Sequence, residues 1–264
     1  MSRKKAHQQR RVLVTGATSG IGAAVAARMA QDGVALVLLG RDENRLRAVS
    51  AKLGKRASIE THVVDLSEAQ RLPQRMDGIA RLMSSLDAVV HAAGYFIGGS
   101  VLQEDRAAID AMLQVNVHAP LTVSRALLPL LERSRGTLVF INSSGIHRPA
   151  RITANYMACK HALRSLTDSL REEVNARGVR VTTIYPGRTA TPMQQALHTM
   201  EGRPYHPETL LQPEDVANAI ASAIALAPSA ELVDVLVRPM MSSVPSKPRA
   251  ARSVRRPRRR GVEK

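Results

Sequence analysis

Two groups of residues have types and spacings that could do chemistry. In the stretch SSGIHRPARITANYMACK, Tyr156 and Lys160 stand four apart, so a helix would set phenol and ammonium on one face. A free phenol loses its proton near pH 10, and a neighbouring ammonium favours the phenolate, so the pair has the makings of a general acid/base. Ser143 lies thirteen residues before Tyr156, just past the apolar run TLVFIN, where a hydroxyl could donate to a carbonyl oxygen; Ser144 beside it is the fallback. Taken alone, Tyr and Lys at this spacing are more often packing than catalysis, and only their context weighs against that. The second group is the turn TGATSGIG, Thr15 to Gly22. Gly16, Gly20 and Gly22 would let the backbone turn tightly, approach a pyrophosphate and pack a helix on a sheet, with phosphate charge at the helix N-terminus. A ligand-free turn can carry the same glycines, but this one sits at the first turn of the domain.

The elements that must position these groups follow a βαβ rhythm. Short apolar strands are expected at Arg11–Thr15, Ala35–Leu39, His62–Asp65, Ala88–His91, Thr137–Asn142, Arg180–Tyr185 and Leu232–Val237. Between them, helical periodicity covers Ile21–Gln31, Glu43–Leu53, Glu68–Met83, a long pair from Asp105 to about Glu132, Ala154–Ala176 and Pro213–Leu226. Seven near-uniformly apolar strands alternating with helices imply an α/β fold: a doubly wound, seven-stranded parallel sheet of the Rossmann type, covered on both faces. No linker interrupts it, so one domain is expected over 11–240, between a basic N-terminal tail (1–10) and a basic, Pro/Arg-rich, disordered C-terminal tail (241–264). Ser143 then falls at the carboxyl edge of the sheet, where such folds bind ligands.

Cofactor choice is read at the end of the second strand, where a carboxylate would accept ribose hydroxyls and repel a 2′-phosphate. Here LVLLGRDENRL has no acid at Leu39–Gly40, and Arg41 follows, a guanidinium suited to bidentate phosphate contact. NADP(H) is therefore preferred, with NAD(H) possible because Asp42 is near enough to reach a ribose.

Thr15–Gly22 as TGxxxGxG, Ala92–Gly94 as AAG, Asn116, Ser143, Tyr156–Lys160 as YxxxK and Pro186–Gly187 together resemble the short-chain dehydrogenases/reductases, in the right order over about residues 11–240. The resemblance implies an oxidoreductase moving a hydride between nicotinamide and a ketone, aldehyde or secondary alcohol. Tyr156 would give the proton, Lys160 would lower its pKa and bind the nicotinamide ribose, Ser143 would polarise the substrate oxygen and Asn116 would position a relay water. Cofactor contacts would come from Gly16, Thr18, Ser19, Gly20, Ile21, Gly22, Arg41, Asp65, Leu66, Ala92, Ala93, Gly94, Asn116, Tyr156, Lys160, Pro186, Gly187, Thr189 and Thr191. A homodimer or homotetramer through the two long helices is implied as well. His91 stands where the family has Asn and is assigned no role, and Ser19 is not the basic residue many NADP-preferring members carry, so Arg41 bears that argument alone.

The formal charge of +16 points at first to polyanions, but thirteen of those charges lie in residues 1–11 and 247–264, leaving +3 on the body. Nucleic-acid binding is disfavoured because aromatics for base stacking are only 2% of the chain; a catalytically silent nucleotide-binding protein gripping a polyanion through its tails is the alternative. The single cysteine, Cys159, excludes an internal disulfide and suits a cytoplasmic protein; it reads as packing. His147, His198 and His206 lack metal-ligand spacing, so no metal is expected. No apolar run is long enough to span a membrane. Gln194–Leu211 falls where the family places a substrate lid, and Tyr95, Phe96, Ile146, Met193 and Tyr205 are candidates for an apolar small-molecule pocket.

Overall fold

A computed structural model of the chain describes residues 9–102, 105–147 and 152–240. Strands and helices alternate: β1 (Arg11–Thr15), α1 (Gly20–Gln31), β2 (Ala35–Gly40), α2 (Glu43–Leu53), β3 (Ile59–Val63), α3 (Leu72–Leu82), β4 (Ala88–His91), α4 (Arg106–Leu113), α5 (Ala119–Ser134), β5 (Thr137–Ile141), α6 (Ala154–Asn175), β6 (Arg180–Pro186), α7 (Pro192–Met200), α8 (Pro213–Ala225) and β7 (Asp234–Val237). The sheet runs β3-β2-β1-β4-β5-β6-β7 with every pairing parallel. This is the doubly wound Rossmann-type fold, with its order reversing between β1 and β4.

Strand periodicity decides which helix each residue meets. Val12, Val14, Leu36, Leu38 and Val90 turn to one face and pack with α1 and α8, while Leu13, Val37, Leu39 and Val89 turn to the other and pack with α3, α5 and α6. Both faces are dry, and burying one such side chain contributes about 1.5–3 kcal/mol, so a register slip would be costly and the strand ends are held in place.

The central strands lie where the apolar runs predict, and the edges do not. β3 is Ile59–Val63 rather than His62–Asp65, and β7 starts at Asp234 rather than Leu232. Each edge strand has one neighbour and alternates partly covered with exposed residues, so it lacks the continuous apolar run expected of a buried parallel strand. α3 starts at Leu72, with Pro73 in its first turn, because Asp65 and Ser67 make a local turn first. The long helical pair is interrupted by a π-helical turn at Gln114–His118. The segment read as a lid begins inside helix α7, which is capped by the Thr191 hydroxyl accepting from the Gln194 N–H. Both basic tails lie outside the described residues, apart from Gln9, Arg10 and the start of β1.

Candidate active site

The glycine-rich turn is built by close approach. Gly16 has φ 64°, and a Cβ there would stand 2.7 Å from the Ala93 Cα and 2.8 Å from its nitrogen. A Cβ on Gly22 would collide with the Gly16 carbonyl. Thr15 Oγ1 accepts from the Ala93 N–H at 3.2 Å, tying the ends of β1 and β4 together at the point where strand order reverses. Ser19 caps α1 without a side-chain hydrogen bond, so no side chain occupies the first N–H groups of α1. That geometry fits an anion at a helix N-terminus, and Gly16 keeps clear the space beside Ala93 that a larger residue would fill. Thr18, Ser19, Gly20 and Ile21 follow in the same turn.

Arg41 follows β2 directly, is exposed, and makes no hydrogen bond or ion pair among the described residues. Asp42 is engaged: its carboxylate caps α2 by accepting from the Arg45 N–H at 3.0 Å and pairs with the Arg45 guanidinium at 3.6 Å. Asp65 accepts from the Ser67 hydroxyl at 2.7 Å and N–H at 2.9 Å; these bonds, helped by the Arg41 charge, hold its carboxyl below the usual range. The Leu66 carbonyl accepts from Gln114.

On the other side of the switch point, Asn142 ends the β5 run and organises the catalytic candidates. Its Oδ1 accepts from the Ser143 N–H at 2.8 Å and its Nδ2 donates to the Lys160 carbonyl at 3.0 Å. Ser143 Oγ accepts from the Gly145 N–H at 3.1 Å, which leaves its own hydrogen to give away. Lys160 is 3% exposed; its Nζ donates to the Ile141 carbonyl at 2.8 Å and lies 5.4 Å from the centroid of the Tyr156 ring. Asn142 carried no assignment from sequence, although a polar residue closing a buried apolar strand was the available signal.

The Tyr156 phenol departs from expectation. Burial pushes it above the ordinary tyrosine range, while burial pulls the Lys160 ammonium down to about 8. The ammonium is directed to a carbonyl and lies against the ring, so desolvation outweighs charge stabilisation of the phenolate. Asn116, on the π-helical turn, gives its Nδ2 hydrogens to the Tyr95 and Met112 carbonyls at 2.7 and 2.9 Å, and its Oδ1 accepts from the Tyr95 N–H at 3.1 Å. A relay water there would find no free amide hydrogen on this side chain.

The segment after β6 closes the site. Gly187 donates to the Val237 carbonyl, Thr189 Oγ1 donates to the Gly187 carbonyl, and Thr191 lies against Gly20. Arg188 grips Glu201 at the end of α7 through two bonds of 2.7 and 2.8 Å, an ion pair that sequence reading missed because its partners are thirteen residues apart across a bend. Of the pocket candidates, Phe96 stands edge-on to Tyr156 at 5.4 Å, Tyr95 packs toward the Met112, Val117 and Cys159 cluster, and Tyr205 meets the ring of His198. His91 is buried against Ser124 and Phe140, and burial lowers its pKa to about 3, so it stays neutral. Among the described residues no group of His, Cys, Asp or Glu could hold a metal ion, and no helix is long and apolar enough to cross a membrane.

Comparison with known proteins gives one pattern. The family model "short chain dehydrogenase" matches residues 10–202. An uncharacterized oxidoreductase of Staphylococcus saprophyticus is 32% identical over 236 residues, covering 88% of this chain and 98% of its own. A metagenomic short-chain oxidoreductase in complex with NADP is 29% identical with a TM-score of 0.75, over 88% of this chain and 98% of that one. A short chain dehydrogenase from Escherichia coli, complexed with NADPH, is 28% identical with a TM-score of 0.79, over 89% and 99%.

Proposed function

Because the chain belongs to the short-chain dehydrogenase/reductase family, we propose that it is an NADP(H)-preferring oxidoreductase acting on a ketone, aldehyde or secondary alcohol, with Tyr156 as the proton carrier. The observation that carries this reading is that Asn142 ties the Ser143 N–H to the Lys160 carbonyl while Lys160 Nζ lies 5.4 Å from the Tyr156 ring centroid. When bound, the cofactor supplies or takes the hydride. The chain's own residues do the rest. Ser143, with its acceptor side used by Gly145, donates to the substrate oxygen. Tyr156 holds a proton at its phenol oxygen and delivers it there as negative charge develops. Lys160 keeps an ammonium beside the ring and orients it.

Preference for the phosphorylated cofactor rests on Arg41, exposed and without a hydrogen bond or ion pair among the described residues, while Asp42 is held as a helix cap. The solved relatives bound to NADP and NADPH support it. Thr18, Ser19, Gly20 and Ile21 would face the pyrophosphate, Asp65, Leu66 and Ala92–Gly94 the adenosine, and Pro186, Gly187, Thr189 and Thr191 the nicotinamide.

NADPH absorbance with a panel of ketones and aldehydes tests both parts. Tyr156→Phe should cut turnover roughly 10³-fold or more while NADPH affinity stays within about threefold; turnover within tenfold of wild type overturns the acid/base assignment. Arg41→Ala should weaken NADPH binding about 10- to 100-fold, the scale of a charge-assisted bond, and leave NADH binding unchanged. Equal losses for both cofactors overturn the preference.

A further inference from the structure

Any substrate whose oxygen reaches the Tyr156 phenol must place its carbon substituents beside whatever touches that ring, since the hydrogen bond spans only about 2.6–3.2 Å. Its aromatic neighbour is Phe96, perpendicular to Tyr156 with centroids 5.4 Å apart. Phe96 does not stand alone. A Cβ placed on Gly98 would lie 2.8 Å from Met200 Sδ and 2.9 Å from Phe96 Cζ, so the end of lid helix α7 and the Phe96 ring converge over one glycine. The lid thus reaches the acid/base through an apolar seam, Met200 to Phe96 to Tyr156. Met200 keeps 53% of its surface in water, apolar area that a substrate arm would cover. Two further thioethers flank the site: Met157 Sδ against Gly145 and Met193 Cε against Gly94.

These walls differ in stiffness. Methionine has three rotatable bonds and a deformable thioether, so it adapts to varied apolar shapes. A phenylalanine side chain is a flat ring with two torsions against methionine's three, so Phe96, set between Tyr156 and the chain at Gly98, adapts less. We propose that Phe96 and Met200 determine specificity, so that the site selects carbonyl compounds carrying an apolar arm and Phe96 sets the upper limit on branching of that arm. The proposal rests on the oxidoreductase reading above and goes beyond it by naming the arm and the residues that measure it. The limit is adjustable at two positions: Phe96→Ala opens space next to Tyr156, and Gly98→Ala, with no left-handed φ to strain the substitution, adds a methyl that Phe96 Cζ and Met200 Sδ must accommodate beside the Ile152 carbonyl.

The test uses methyl ketones whose second arm grows from methyl to hexyl, together with branched and cyclohexyl arms, reduced by the full-length protein with NADPH. Wild type should gain about fourfold in kcat/KM per added methylene while the arm is linear, and lose on branching. Phe96→Ala should raise the branched-to-linear ratio tenfold or more, Met200→Ala by a smaller factor, and Gly98→Ala should lower it. NADPH affinity within twofold of wild type, by calorimetry, shows that each variant is folded. A second readout does not depend on hydride transfer: calorimetric binding of carboxamides with the same arms to the protein–NADPH complex, where the same order of affinities is expected. Ratios that move less than twofold in both the Phe96 and Gly98 variants overturn the proposal, as does a wild type that binds none of the amides. If no ketone is turned over but amide selectivity still follows Phe96, the redox reading fails and the pocket assignment stands.

Discussion

Lys160→Met gives the most direct physical test of the catalytic candidates, because it isolates the cost of the buried charge. The ammonium is 3% exposed and its pKa falls from 10.5 to about 8 through desolvation, which the nearby Cys159 only partly counters. At about 1.4 kcal/mol per pH unit, holding that charge in the folded protein costs about 3 kcal/mol at pH 7. Between about 8 and 10.5 the folded form has released the proton and the unfolded form has not, so the Lys160 contribution to wild-type stability rises with pH through that window. By pH 10 about 1 kcal/mol of the cost remains, a relief of about 2 kcal/mol from pH 7. Methionine keeps much of the stem and removes the titration; losing the bond to the Ile141 carbonyl adds an offset that does not vary with pH. Urea denaturation followed by circular dichroism at pH 7 and pH 10 should therefore show the wild-type-minus-variant difference moving about 2 kcal/mol in favour of wild type. Other titrating groups are common to both proteins and cancel. A difference that moves by less than about 0.5 kcal/mol would refute the claim that Lys160 is held charged against a desolvation penalty.

Gly16→Ala should lose at least tenfold in NADPH affinity by calorimetry and lower the Tm, because a Cβ at φ 64° meets the Ala93 backbone; unchanged affinity would mean that the turn does not hold the pyrophosphate. Glu201→Gln should cost about 1 kcal/mol at pH 7, where the bidentate Arg188 pair is intact. Since Arg188 lowers the Glu201 pKa, that advantage is present at neutral pH and fades as pH falls through the depressed value, so wild type and variant should converge in acid denaturation.

Local grammar was enough for some parts and useless for others. The turn from Thr15 to Gly22 was legible because its glycines answer to contacts a few residues away and to one neighbouring strand. The Tyr156–Lys160 pair was legible because helical period alone puts it on one face. β3 was misplaced because its Glu60 and His62 belong to an edge, and whether a strand is an edge is a property of the whole sheet. The break between α4 and α5 was signalled only by Pro120 in the first turn of α5, since QVNVH itself contains neither Gly nor Pro; Asn116 bonds back to the Tyr95 backbone, twenty-one residues earlier, across the turn. Phe96 looked like one of five equal pocket candidates until its contact with Tyr156 separated it from Tyr95 and Tyr205.

The same distinction explains why the phenol moves opposite to expectation. Spacing places the ammonium on the phenol's face of the helix, but the size of the effect depends on where Nζ points and how dry the surroundings are. One Nζ hydrogen goes to the Ile141 carbonyl, Phe96 stands perpendicular to the ring, and desolvation dominates. Below about pH 8 the pair therefore consists of a protonated phenol beside an ammonium. That is the state needed to hand a proton to a developing alkoxide, and the wrong state for taking one from an alcohol. Carbonyl reduction should accordingly run near its full rate at pH 7, whereas alcohol oxidation should climb as pH rises above neutrality. An oxidation rate that is flat from pH 6 to 9, with hydride transfer shown to be rate-limiting by a deuterium effect, would contradict a phenol held above its ordinary range.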